Sequence, residues 1–378
     1  MHNERRRLAV ERIRDLVRER ELAGVVLTKP GTVAWASGAM NPLIDRTAAQ
    51  DTVWLAVGMD SVTVVTTDVE RDRIQAELLP ADVGLVSVPW WDPSALLVAA
   101  SQALGAPSTR IAADGHPGFG FDLEHELAVT RLPLSGVEQA ELRSLGADAA
   151  ASVENALWQW RPGDLDTSVA ARIAFQLEST GADAPVLLVG ADERVSRFRH
   201  PVARGERATR VVMAVLVARR HGLHVALTRY VASEPTPALD ADLETVRQIH
   251  RGALDSAKPG ATYGGLYTGL DRAYSAAGHD NAWAGHYQGG PIGYGQREFE
   301  IAPCQTDSPW WSVPIVEGTA LALNPSLPGG AKDEDTFLVT GDGLELITMT
   351  QNWPLADAAF PPRPGVLRYG GRNDSSAV

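Results

Sequence analysis

"GTALALNPSLPGGAKDEDTFLVTGDGLELIT" occupies residues 318–348. "TALALNPS" has the apolar content of a strand. "DTFLVTGDGLELIT" has the pattern of a hairpin whose Gly-Asp-Gly supplies positive-φ turn positions. Between them stand three consecutive acids, Asp333, Glu334 and Asp335. Three acids in a row usually mark a solvated turn, but an apolar strand follows these directly. Alternation along a strand sends Glu334 to the face opposite its two neighbours. A single carboxylate in a pocket needs a cationic partner. A substrate ammonium, amidine or guanidinium would serve, and so would Arg297.

Upstream, "VVMAVLVARRHGLHVALTRYVA" (211–232) reads as two strands joined by a turn, and it holds no acidic residue. His221 and His224 stand three apart, which on strands places them on opposite faces, so turn and edge roles are expected in place of a metal pair. "PVLLVG" (185–190) supplies another strand. Helices are expected from Val137 to about Trp160, from Asp166, over about 238–256 and over about 262–278. The helix, helix, strand order occurs twice.

The first part of the chain is organised differently. A charged amphipathic helix over residues 5–20 is followed by the short strands "GVVLT", "DTVWLAVG", "SVTVVTT" and "VGLVSVP", with a helix in "VERDRIQAELL" and a further strand in "STRIAADG". This is a small α/β domain over 1–132, followed by a second domain over 133–355 and an aperiodic tail, 356–378, that frays from 368 onward. The class is α+β. A chain of 378 residues suits two domains.

The net charge is −13, with 44% hydrophobic and 21% charged residues. That disfavours nucleic acid and anionic membrane as partners, since both require a basic stripe. No apolar run reaches the length of a membrane span. The N-terminal segment has no apolar signal region, and a cytoplasmic location is expected. The single cysteine, Cys304, allows no internal disulfide and no Cys-rich metal site, and a structural role is expected for it.

Several stretches resemble the pita-bread family of methionine aminopeptidases, aminopeptidase P, prolidase and creatinase. They are "RHP" (199–201), Gly222 with Thr228-Arg229 at the hairpin, "GHYQGGPIGYGQRE" (285–298), and the opening segment 318–348. The resemblance implies a creatinase-like N-terminal domain followed by a pita-bread catalytic domain, and a homodimer. It implies five metal ligands: two Asp, one His and two Glu. On this chain the Asp positions fall on Val215 and Ala226, the first Glu on Asn324 and the second on Glu334. The His position lies near His286 or Gln288. Val215 and Ala226 offer no ligand atom, and hard divalent ions need several carboxylate oxygens. No catalytic metal and no other cofactor is therefore expected. Creatinase is the metal-independent branch of the family, and its proton-transferring histidine matches His200. Its partner-subunit arginine lies near the position of Arg46 in "LIDRT". Thr228 replaces its hairpin glutamate, which argues against creatine as the substrate.

His200 precedes Pro201, which biases it toward extended backbone, and a histidine of ordinary pKa can act as base and then acid. His200, His286 and Glu334 are the catalytic candidates. The substrate-binding candidates are Arg46, Thr228, Arg229, Trp283, Gln288, Tyr294, Arg297, Glu298, Asn324 and Lys332, with Arg297 a carboxylate clamp. Trp310 and Trp311 are further candidates for the pocket wall. The leading expectation is a metal-independent, creatinase-like enzyme. It cleaves a C–N bond, by hydrolysis or elimination, in a small molecule bearing carboxylate and nitrogen groups. Two readings stand beside it: an Xaa-Pro metallopeptidase, and a non-catalytic pita-bread binding protein.

Overall fold

The structure is a computed structural model that describes residues 2–40, 44–48, 52–358 and 361–370. The chain forms two compact units, Met1–Glu138 with His221–Leu223, and Gln139–Arg220 with His224–Val378.

In the first unit, α1 (His2–Glu19) turns Ala9, Val10, Ile13 and Val17 inward, the spacing of one helix face. The strands are β1 (Gly24–Leu27), β2 (Trp54–Val57), β3 (Val62–Thr67), β4 (Gly84–Val88), β5 (Ile111–Ala113) and β6 (Phe121–Asp122). They form one sheet in the order β4-β3-β2-β1-β5-β6. β1 runs antiparallel to β2 and parallel to β5, so the sheet is mixed. All four residues of β1 are buried, as expected of an apolar strand covered on both faces. Helices α2 (Pro30–Ser37), α3 (Arg71–Arg73), α4 (Ala95–Ala103) and α5 (Glu124–Arg131) complete the unit. Ala99 and Ala100 of α4 join Val26, Trp54, Val65 and Ile111 in its core.

The second unit carries the segment 318–348. After α6 (Gly136–Gln159) and α7 (Asp166–Glu178) come β7 (Asp183–Ala191), the short α8 (Glu193–Arg197), and the hairpin of β8 (Val211–Arg220) and β9 (Leu223–Ala232). Helices α9 (Pro237–Leu254) and α10 (Tyr263–Ala276) precede β10 (Gly289–Ile292), β11 (Ala320–Leu323), β12 (Asp335–Thr340) and β13 (Gly343–Leu346). Two helices followed by strands thus occur twice. β10 to β13 form an antiparallel sheet in sequence order. Gly289 opens it at φ 80, and a β-carbon there would sit 2.1 Å from the Ala322 carbonyl oxygen. A glycine is therefore needed at this point.

β9 joins the two sheets of this unit. Thr228 N donates to the Glu334 carbonyl oxygen (2.9 Å), and Ala226 N donates to Thr336 Oγ1 (2.8 Å). His224 N donates to the Gly293 carbonyl (2.8 Å). The hairpin is thereby fixed against the strand that carries Glu334.

The end of the chain departs from the expected aperiodic tail. β14 (Leu355–Asp357) pairs with β15 (Arg363–Pro364), and β16 (Leu367–Arg368) adds in parallel to β9. Leu367 is buried and Tyr369 packs edge-on against Trp160. Elements of two or three residues are too short for hydrophobic periodicity to show. The remainder of the expected fray, 371–378, lies outside the described residues. No described helix is long and apolar enough to cross a membrane.

Candidate functional site

Alternation along the Lys332–Asp335 segment divides its side chains. Asp333 accepts from the buried Arg363 and contacts His250, and Asp335 pairs with Arg229 (2.9 Å) and Arg363 (3.2 Å). Glu334 turns the other way and lines a cavity of about 430 Å³. Its carboxylate accepts from Thr228 Oγ1 (3.1 Å) and from an Arg297 Nη (3.3 Å), and the residue is 2% exposed. Arg297 is therefore the cation that the isolated carboxylate requires. Its Nε also approaches Glu300 at 3.9 Å.

One wall of the cavity is apolar. Val186 and Leu188 of β7 and Val215 and Val217 of β8 alternate onto the same face. Val215 pairs directly with Leu188 across the two strands. His200, Tyr287, Gln296, Arg297, Glu300, Asn324, Lys332 and Glu334 make up the rest of the lining. A second cavity of about 580 Å³ shares His200, Tyr287 and Glu300 with it and adds Arg199, Trp283, His286 and Gln288.

Lys332 is the buried cation of this site, at 2% exposure. Its Nζ donates to the Arg199 carbonyl (2.7 Å) and approaches His286 Nε2 (3.4 Å). Burial, with Arg199 adding to it and Glu334 opposing, pushes its pKa down to about 8. His286 Nδ1 faces the Tyr287 carbonyl at 2.5 Å. A carbonyl only accepts, so Nδ1 carries the proton and Nε2 is left as an acceptor toward Lys332. Burial and the Lys332 charge push the His286 pKa down to about 3. This imidazole is neutral at ordinary pH.

His200 follows Arg199, whose carbonyl is held by Lys332. Its ring lies 4.9 Å from that of His286, tilted by 35°. Its pKa is lowered, first by partial burial and then by Lys332, with Glu334 opposing. Asn324 is 5% exposed, and its Oδ1 has no hydrogen-bond partner.

Other expected site residues fall elsewhere. Arg229 does not reach the cavity. It is 1% exposed, and its guanidinium is committed to Glu154 (3.1 Å), Asp335 (2.9 Å) and the carbonyls of Thr228 and Thr348. Thr228 and Arg229 are consecutive on β9, so only one of them can face the site. Gln288 is held by Trp283 O, His286 O and Tyr274 Oη, which fixes the loop and leaves little for a ligand. Tyr294 is buried outside both linings, and Glu298 accepts from Gly295 N (2.9 Å) within its own loop. Trp283 lines the second cavity while donating to Asp271 (2.7 Å). Trp310 stacks on Phe299 at 4.2 Å and Trp311 packs over Gly264, so neither forms the pocket wall. Cys304 is exposed, which corrects its expected structural role. Arg46 is an exposed residue of the first unit. Sequence reasoning missed Val186, Leu188, Val217, Tyr287, Gln296 and Glu300 as lining residues. For the three aliphatic residues, alternation in "PVLLVG" and around Val215 carried the signal.

The described residues do not fit a dinuclear metal centre. Val215 and Ala226 are aliphatic, Asn324 is a neutral amide, and Glu334 is engaged by Arg297. A buried ammonium, Lys332, stands in the same cavity. Among the described residues, no group of three or more His, Cys, Asp or Glu side chains is placed to hold a metal ion.

This fold is that of the pita-bread class. The model of metallopeptidase family M24 matches residues 140–341, and the chain belongs to that family. It is similar to the Xaa-Pro dipeptidase of Lactobacillus delbrueckii subsp. lactis, 26% identical over 243 residues, which cover 61% of this chain and 64% of that enzyme. It is likewise 26% identical over 198 residues to the Xaa-Pro dipeptidase of Pyrococcus horikoshii, covering 50% of this chain and 54% of the other. The matches thus span less than two thirds of these relatives. Among solved structures, dipeptidase PepE from Mycobacterium ulcerans superposes with a TM-score of 0.74 at 18% identity, over 97% of this chain and 99% of that one. The prolidase of Pyrococcus horikoshii OT3 gives 0.69 at 17% identity, over 91% and 98%. These two likenesses show the fold.

Proposed function

We propose that this M24 member cleaves a C–N bond in a small, carboxylate-bearing substrate without a dinuclear metal centre, with His200 moving the proton. The observation that carries the reading is the exchange of charge in the cavity. On the mapping that the family resemblance implies, aliphatic and amide side chains take the place of the family's carboxylates, and of these Val215 and Asn324 line the cavity together with the buried cation Lys332.

In the hydrolytic form, a water attacks the carbonyl carbon, and His200 accepts its proton and delivers it to the departing nitrogen as the C–N bond breaks. No described residue hydrogen-bonds the His200 ring, so both its nitrogens are available to substrate and water. Lys332 holds the Arg199 carbonyl before it, and the neutral His286 ring lies next to its own. Glu334, braced by Thr228 and Arg297, faces the nitrogen side of the substrate. A homodimer in which Arg46 of a second copy assists the site belongs to the same reading, and sedimentation analysis tests it.

The test is turnover of small amides and dipeptides by protein whose metal content has been measured. Turnover that survives chelator and fails in His200→Gln supports the proposal. Turnover that appears only with added Mn²⁺ or Co²⁺ overturns it. That second outcome belongs to a reading supported by the names of the curated relatives, both Xaa-Pro dipeptidases. In that reading the chain hydrolyses Xaa-Pro dipeptides with a metal.

A further inference from the structure

Two buried groups in the same cavity lack the partners their chemistry calls for. Lys332 has three N–H donors, and two are directed at the Arg199 carbonyl and His286 Nε2. Both of those acceptors are neutral, and among the described residues the ammonium has no carboxylate in ion-pair contact. Arg297, by contrast, is in ion-pair contact with two carboxylates, Glu334 and Glu300. Glu334 acts on the Lys332 charge only from beyond ion-pair contact, and one Lys332 donor remains for a ligand. The second group is Asn324, whose Oδ1 is a buried acceptor with no donor. An orphaned buried acceptor is costly, and a ligand that supplies the missing donor recovers that cost.

We propose that the cavity recognises a compact anion that also carries an amide N–H, its carboxylate on Lys332 Nζ and its N–H on Asn324 Oδ1. The inference rests on the proposed cavity and names the substrate class more narrowly: secondary amides of amino acids. An Xaa-Pro bond has no hydrogen on its nitrogen, so it presents the carboxylate but leaves Asn324 Oδ1 unpaired. The apolar wall of Val186, Leu188, Val215 and Val217 accommodates a short aliphatic side chain.

The experiment uses calorimetric titration of the full chain with N-acetylalanine and with N-acetylproline. Both are mono-anions without an ammonium group, and they differ at the amide nitrogen. Leaving a buried acceptor unpaired costs roughly 1–3 kcal/mol, which is about 5-fold to 150-fold in affinity. N-acetylalanine is expected to bind at least about 10-fold more tightly than N-acetylproline. Asn324→Leu, shown to be folded by its melting transition, is expected to erase the difference, and Lys332→Met to weaken both ligands alike. Equal affinity for the two ligands in the wild-type protein, or binding of neither at millimolar concentration, overturns the inference. Because binding is read without turnover, failure of the His200 mechanism would leave this result standing, and the reverse also holds.

Discussion

Lys332 Nζ lies 2.7 Å from the Arg199 carbonyl and 3.4 Å from His286 Nε2, so one buried ammonium ties together the backbone before His200 and the ring beside it. The arrangement sets three pKa values in one direction. Burial lowers all three groups, and the Lys332 charge lowers both histidines further. A site organised by carboxylates and divalent ions would be organised by negative side chains. This one is organised by a positive charge. Burial first, and that charge second, favour the neutral form of both histidines, and neutral imidazole is the form that can accept a proton.

The pH dependence follows with a definite sign. His200 must begin neutral, and its pKa is lowered, so turnover falls only as the pH drops below the usual imidazole range. Lys332 must be charged to hold a carboxylate, and its pKa is about 8, so binding is lost as the pH rises through that value. A bell-shaped kcat/KM profile with a basic limb near 8 is expected, and Lys332→Met removes that limb. A basic limb near the ordinary lysine value would show that the ammonium plays no part. Stability moves oppositely. The unfolded chain keeps the lysine proton up to 10.5 and the folded chain only to about 8. Over that window the wild type gains stability relative to Lys332→Met as the pH rises, measurable by urea denaturation.

Replacing His200 separates catalysis from folding. The residue is exposed and its ring carries no hydrogen bond among the described residues, so His200→Gln is expected to leave the melting temperature unchanged. Loss of a proton shuttle costs about 10² to 10⁴ in kcat. Ligand affinity is expected to stay within a few-fold. A kcat that is unaffected would leave the binding-protein reading as the better account.

Metal content gives an independent check. Elemental analysis of protein purified without chelator is expected to find less than one equivalent of Mn, Co or Zn, and added ions are expected not to raise the melting temperature. Lys332 places its charge where a cation would have to enter. Val215→Asp with Asn324→Glu is therefore expected to bind metal weakly while Lys332 remains, and more tightly once Lys332→Met is added. Two bound ions per wild-type chain would contradict this outright.

The legible parts of the molecule were those where local pattern and burial agree. Two helix, helix, strand passages, the hairpin and the strand after the triple acid all follow from periodicity, and Glu334 separates from Asp333 and Asp335 by alternation alone. Arg229 was misplaced because the family motif joins it to Thr228, although the same alternation forces the two apart. Lys332 could be named as a contact, but its electrostatic role could not, because burial depends on the Tyr230, Ser326 and Arg199 segments that close over it from distant positions. Asn324 likewise becomes informative only once its carboxamide is known to be buried with an unpaired oxygen. The aliphatic wall was visible as strands and not as a wall, since pairing Leu188 with Val215 requires the register between β7 and β8.

The pair Thr228 and Arg229 provides the sharpest separation of site from scaffold. Arg229 compensates two buried carboxylates, Glu154 and Asp335, at 3.1 Å and 2.9 Å. Arg229→Met leaves Glu154 without a cation and Asp335 with Arg363 alone, and breaking a buried pair by removing one partner costs about 3–5 kcal/mol. Thr228→Val removes one hydroxyl from Glu334 Oε2 while Arg297 still holds Oε1, so its cost is about 1 kcal/mol. Its effect is expected in turnover, because a Glu334 held by one partner no longer keeps its place on the nitrogen side of the substrate. Urea denaturation and turnover on the two variants therefore give opposite orders. Arg229→Met is the less stable protein and, under conditions where it is folded, turns over substrate like the wild type. Thr228→Val is nearly as stable as the wild type and turns over substrate more slowly. If both variants lost turnover in proportion to stability, Glu334 and Thr228 would belong to the scaffold alone.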